Sequence, residues 1–157
     1  MKKTNFLSKL KKEGKLELVD SSEEIKQSYI IKSESNITSS KILLKNNKFE
    51  ESVGLAYYSM YHILTALLFK IGIKSGNHTA SIILLKEIFG IDNKIIKDAK
   101  TERIDKQYYV DFIITKEDVD DTIKKAEVFN SNLLDFISKM NNENINSYRN
   151  KFMSLID

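Results

Sequence analysis

Residues 52–69, SVGLAYYSMYHILTALLF, run for 18 positions without a charge in a chain where 30% of residues are Asp, Glu, Lys or Arg. Val53, Ala56, Tyr57, Met60, Leu64, Leu67 and Leu68 fall on one helical stripe, and Leu55, Ile63 and Phe69 fill in much of the remaining circumference. A helix that is apolar nearly all round must be covered by neighbours on several sides. The stretch is just long enough to span a bilayer. That placement would put Ser52, Tyr57, Tyr58, Ser59, Tyr61, His62 and Thr65 in lipid. The pattern therefore predicts no membrane span but the central helix of a soluble helical domain. Gly54, Ala56 and Ser59 are small enough to let another helix cross closely.

At 157 residues the chain fits one domain with a sizeable core. It has no cysteine, which excludes disulfides, thiolate metal sites and a cysteine nucleophile. It has no proline either, which favours long unbroken helices. The basic start, MKKTNFLSKLKKEGK, lacks the continuous apolar core of a signal peptide, so a cytoplasmic location is expected. The net charge of +3 is mild, but its make-up is uneven: 23 lysines stand against two arginines, Arg103 and Arg149. Guanidinium grips phosphate through a bidentate fork that ammonium lacks, and only these two positions offer it.

Residues 1–20 read as an amphipathic leader in which Phe6, Leu7 and Leu10 make a short helix ended by Gly14. Ser21 and Glu24 have the spacing of a capping box. They open a helix over 22–46 with Ile25, Tyr29, Ser33, Ile37, Ser40 and Leu44 on its inner face. Asn46-Asn47 makes the turn into the central helix, 48–72. Asn77 caps a helix over 78–89, stopped by Gly90, and Asp92 caps the next, whose exposed face is the charged run 97–106. Residues 108–114, YYVDFII, have strand propensity. With no second strand in the pattern to pair with, they are read as an extended connector. Thr115 caps the last long helix, 116–140, and residues 141–157 form a short polar helix or frayed tail. The expected organisation is a leader (1–20), a bundle of four to five helices (21–140) and a tail (141–157), without a sheet.

Few residues offer chemistry. Two histidines and no His-Glu-x-x-His pattern predict no metal site, and five isolated glycines form no phosphate loop. His62 lies one turn beyond Tyr58, so the two rings can stack or share a hydrogen bond. His78 follows a helix cap, where its imidazole and the free amides suit an anion or serve the cap itself. The remaining cluster is ERIDKQYY, which sets Arg103 and Asp105 beside Tyr108 and Tyr109. Arginine with aromatic planes suits the phosphate and base of a nucleotide. The bland alternative pairs Arg103 with Asp105 or Glu102 at the surface.

The order Leu43-Leu44, then Ala-Tyr-Tyr-Ser-Met-Tyr-His over 56–62, then Leu67-Leu68, resembles the HEPN domain (higher eukaryotes and prokaryotes nucleotide-binding). Asn77-His78, the segment 102–112 and the run 116–136 resemble its small stand-alone prokaryotic and archaeal members. The resemblance covers about 22–137. It implies an all-α, up-and-down bundle of four to five helices that pairs as a homodimer. It also implies a minimal nucleotidyltransferase as partner, the two acting as toxin and antitoxin. Ribonuclease members carry Arg, four to six residues, then His, and need no metal or other cofactor. Here Arg103 followed by four residues arrives at Tyr108, and no histidine follows Arg149. Tyrosine, with a pKa near 10, is a poor general base near neutral pH. In some paired systems the transferase adds AMP to a tyrosine seven residues after the arginine. That position here is Val110, with Tyr108 and Tyr109 nearby but offset.

The expected function is binding of RNA or a nucleotide, as the HEPN partner in a toxin–antitoxin or stress-defence pair. Candidate ligand-binding residues are Arg103, Asp105, Tyr108, Tyr109, Tyr58, His62 and His78. Two alternatives stay open. One is a metal-independent endoribonuclease toxin using Arg103 with His62 or His78; the catalytic candidates as a set are Arg103, Tyr108, His62 and His78. The other is a non-catalytic adaptor that binds another protein.

Overall fold

The computed structural model describes residues 2–108 and 113–157, and the side chains of all of these except 105–108. Seven helices occur among them: α1 (Lys2–Lys12), α2 (Glu23–Lys45), α3 (Phe49–Ile71), α4 (His78–Phe89), α5 (Lys94–Tyr108), α6 (Lys116–Ser138) and α7 (Asn142–Ile156). The protein is all-α, with α3 at its centre, packed against α2, α4, α5, α6 and α7. Tyr57, Met60, Leu64, Leu67 and Ile71 of α3 are fully buried. Length and composition would let α3 cross a membrane, but 67% of its apolar window is buried inside the fold.

The small residues on α2 settle its pairing with α3. Ser33 Oγ donates to the Ser59 carbonyl at 2.7 Å, and Ser40 and Ser52 exchange hydroxyl-to-carbonyl bonds at 2.7 Å each. As the numbers rise along α2 they fall along α3, so the helices are antiparallel along their length. A bulky side chain at Ser33 or Ser40 would separate the backbones that these bonds hold together. Asn47, at φ 59°, makes the left-handed turn between them, a conformation that asparagine tolerates. The helix opens one residue later than the capping box suggested. Ser22 accepts from the Ile25 amide, while Ser21 donates to the Lys70 carbonyl at 2.6 Å. Asn77 and Thr115 cap α4 and α6 as expected, Thr115 in a reciprocal box with Asp118.

One feature departs from the sequence expectation. A two-stranded antiparallel ribbon joins β1 (Leu16–Leu18) to β2 (Ile73–Ser75), with Glu17 opposite Lys74. Three-residue strands are too short for a period-two pattern to reveal, so the expectation of no sheet fails on this detail. Of the two alternatives for residues 141–157, the structure shows the helix. The helix α7 runs for 15 residues, with Phe152 fully buried and Asn141 in a capping box.

Arg149 of α7 reaches back across the fold. Its Nη1 donates to the carbonyls of Val19 and Ile71 at 2.8 Å each. The turn it grips ends α3 at Gly72, which holds φ +81°. A Cβ there would lie 2.0 Å from Arg149 Nη1 and 2.3 Å from the Val19 carbonyl, so only glycine fits.

Candidate functional site

Tyr57 and Tyr61 stand one turn apart on α3, and Tyr58 and His62 form the neighbouring pair, so four rings project along two adjoining rows. Tyr57 is fully buried, yet its hydroxyl reaches His78 Nδ1 at 2.8 Å. His78 is the first residue of α4 and is spared from capping it, because Asn77 Oδ1 accepts from the Ala80 amide at 2.9 Å. Its imidazole lies flat on Tyr61, with ring centroids 3.7 Å apart and planes 16° from parallel.

Arg103 brings α5 to the same place. Its guanidinium carbon is 4.8 Å from the centroid of Tyr58 and 5.6 Å from that of Tyr57. The two rings supply a cation–π surface. The adjacent Glu102 does not pair with it, but accepts from Thr122 Oγ1 of α6 at 2.9 Å. Arg103 Nε is buried without a hydrogen-bond partner among the described residues. An unmet buried donor on a charged group is costly, and a ligand acceptor would relieve it. No carboxylate bridges to Arg103 among the described residues.

His62 stacks on Tyr58 with centroids 6.0 Å apart. Its Nδ1 is 2.7 Å from Asn36 Oδ1 of α2. That oxygen only accepts, so Nδ1 carries the hydrogen and Nε2 is left with its lone pair when the ring is neutral. Burial holds the His62 pKa below its ordinary value, with help from the positive charge of Lys32 and from His78. Burial also holds His78 low, followed by Arg103 and Lys100. Burial pushes the Tyr57 and Tyr61 phenols up, so both remain neutral donors or acceptors across the ordinary pH range. A fixed cation therefore shares the site with two imidazoles that are neutral at pH 7. This set can take up an anion and move a proton.

Four sequence candidates come together here: Tyr58, His62, His78 and Arg103. Asp105, Tyr108 and Tyr109 lie outside the residues whose side chains are described. Sequence reasoning missed Tyr57, Tyr61 and Asn36. The tyrosines sat in a stretch read as core, and Asn36 is 26 residues from the histidine it fixes. Among the described residues no group of three His, Asp or Glu side chains gathers where a metal could be held. A cavity of about 290 Å³ opens between α5 and α6, lined by Asp98, Glu102, Asp121 and Lys125 among others. None of the four site residues borders it.

The HEPN domain family model matches residues 26–134, well over half of the chain. The protein named "Putative toxin MJ0605" of Methanocaldococcus jannaschii is 29% identical over 117 residues, which cover 70% of this chain and 86% of that relative. The family match over 26–134 takes in α3, His78 and Arg103, the elements that build the site. This chain belongs to the HEPN domain family.

Proposed function

We propose that the Arg103 cleft binds RNA or a nucleotide through phosphate and base. The protein would act as a homodimer, the HEPN partner of a minimal nucleotidyltransferase in a toxin–antitoxin or stress-defence pair. The observation that carries the binding reading is Arg103 itself: a half-buried guanidinium on two tyrosine faces, with no carboxylate among the described residues and its Nε unmet. Among the described residues, the charged side chains that bear on the two imidazoles are Lys32, Lys100 and Arg103, all cationic. That field attracts a polyanion. The name of the Methanocaldococcus relative supports the toxin side of the pair. The transferase and the homodimer rest on the family resemblance.

The Tyr57–His78 bond favours a second reading, metal-independent RNA cleavage. A phenol hydroxyl can accept from Nδ1–H or donate to Nδ1, so it accommodates either tautomer of His78. With Nδ1–H held by Tyr57, Nε2 would take the proton of a ribose 2′-hydroxyl as its oxygen attacks the phosphate. The P–O5′ bond breaks, a 2′,3′-cyclic phosphate forms, and the 5′ oxygen leaves with a proton returned by the imidazolium or supplied by water. Arg103 would carry the charge that develops on the phosphate oxygens.

Titration of the purified protein with nucleotides and short RNAs at two salt concentrations tests binding. Incubation of labelled RNA in EDTA tests cleavage. Binding without cleavage supports the first reading, and cleavage lost in both Arg103→Lys and His78→Gln supports the second. If nothing binds, the adaptor reading replaces both. Sedimentation tests the dimer, and co-purification with the product of the adjacent gene tests the pairing. A monomer, or a neighbour that is no nucleotidyltransferase, refutes the corresponding part.

A further inference from the structure

The ring cluster does not end at His62. Tyr29 of α2 lies 5.7 Å from His62, centroid to centroid, and Phe69 lies nearly parallel to Tyr29 at 5.7 Å. Lys32 holds its ammonium 5.4 Å from the Tyr29 centroid. A chain of half-buried rings thus leads from Arg103 through Tyr58 and His62 to Tyr29, with cations at both ends. We infer that this strip is a platform for single-stranded RNA, taking about two or three consecutive nucleotides. Arg103 would hold one phosphate, Tyr29 would stack a base further along the strand, and Lys32 would meet a second phosphate. The inference rests on the proposed phosphate site at Arg103 and extends it.

Three physical points favour a single strand of several units over a mononucleotide or a duplex. Arg103 and Lys32 cap opposite ends of a run with two ring-to-ring steps, Tyr58 to His62 at 6.0 Å and His62 to Tyr29 at 5.7 Å, an arrangement that suits successive phosphates along a strand. Rings accept any base by its π-face, but only when that base is unpaired and unstacked, which a duplex does not offer. The Lys32–Tyr29 contact is an exposed cation–π pair of the weak kind. A base arriving on Tyr29 can displace the ammonium toward the backbone phosphate it brings. Among the described residues the strip holds neither carboxylate nor glycine loop, so its chemistry is stacking plus phosphate charge.

The test uses 2′-O-methyl oligouridines of one to six nucleotides, which cannot be cleaved through their 2′ oxygen, and a hairpin duplex, all followed by fluorescence anisotropy. Affinity is expected to rise about tenfold from one nucleotide to three and then level off. Tyr29→Ala should bring the trinucleotide down to the mononucleotide's affinity, while Tyr29→Phe, which keeps the ring, should retain the gain. Lys32→Ala at an exposed site should lower the salt slope for the trinucleotide by about 0.7, the value for one single-strand phosphate. Mononucleotide binding that is lost in Arg103→Lys but does not grow with length would leave the phosphate site standing and overturn the strip. So would a hairpin that binds as well as the single strand. If neither the mononucleotide nor any oligonucleotide binds, both fall together.

Discussion

The Tyr57 hydroxyl and His78 Nδ1 lie 2.8 Å apart, so one hydrogen bond joins the middle of α3 to the first residue of α4. The partners are 21 residues apart in sequence. They meet because the ribbon strand β2 leads the chain out of α3 and back beside it.

Tyr57→Phe removes that bond and keeps the stacking of His78 on Tyr61. The expected cost is about 0.5–1.5 kcal/mol, the usual net worth of one intramolecular hydrogen bond. Chemical denaturation measures the loss, and the imidazole resonances of His78 should move. If stability and resonances both match wild type, the bond is absent in solution.

The histidines set a pH dependence with a definite sign. Both fold with pKa values below the ordinary 6.5, because burial penalises the imidazolium and cations add to the cost. On acidification the unfolded chain takes up these protons first. Their contribution to stability is full above pH 6.5 and declines as pH falls through that value toward the folded pKa values. A bound phosphate favours the charged rings, so RNA should raise both midpoints and bind more tightly as pH drops. NMR titration of His62 and His78 reads this directly. Midpoints at or above 6.5 in the free protein would contradict the buried arrangement.

Arg103→Lys keeps the charge but loses the fork and the flat stacking face. It should weaken nucleotide or RNA binding nearly as much as Arg103→Ala, by about 1–3 kcal/mol for a charge-assisted contact. The helical signal should survive in both. His78 separates the two variants: its midpoint should rise in Arg103→Ala, where a nearby cation is lost, and stay closer to wild type in Arg103→Lys. A lysine variant that binds like wild type would refute the cleft.

Leu64 and Leu67 are fully buried in α3. Truncating either to alanine should cost about 2–5 kcal/mol, the range for buried leucine. Losses under about 1 kcal/mol in urea denaturation would mean that α3 is not the centre of the core.

What the sequence made legible follows the range of each interaction. Asn77, Thr115 and the glycine stop at Gly90 act within four residues, and each was readable as a cap or a stop. The uncharged run that became α3 was equally plain, because composition alone sets a buried helix apart. Arg103 stood out by scarcity, and the Tyr58–His62 stack by helical spacing. The bonds that aim the imidazoles were hidden. Asn36 and His62 belong to different helices, and which asparagine meets which histidine depends on the Ser33–Ser59 and Ser40–Ser52 register. Ser21 and Ser22 are chemically alike, so the cap was displaced by one residue when Ser21 found the Lys70 carbonyl.

The bond from Arg149 to Val19 spans 130 residues, nearly the whole chain. A contact of such high order closes a very long loop, and it forms only after most of that loop has found its place. What it secures is the turn at Gly72, and from there the backbone passes through β2 directly to His78. The last helix of the chain thus holds the turn from which the backbone is led to His78. Ending the chain at residue 140 should leave most of the helical signal, yet shift the resonances of His78 and weaken the site. An unchanged His78 in that shortened protein would show that the two ends of the chain are energetically independent.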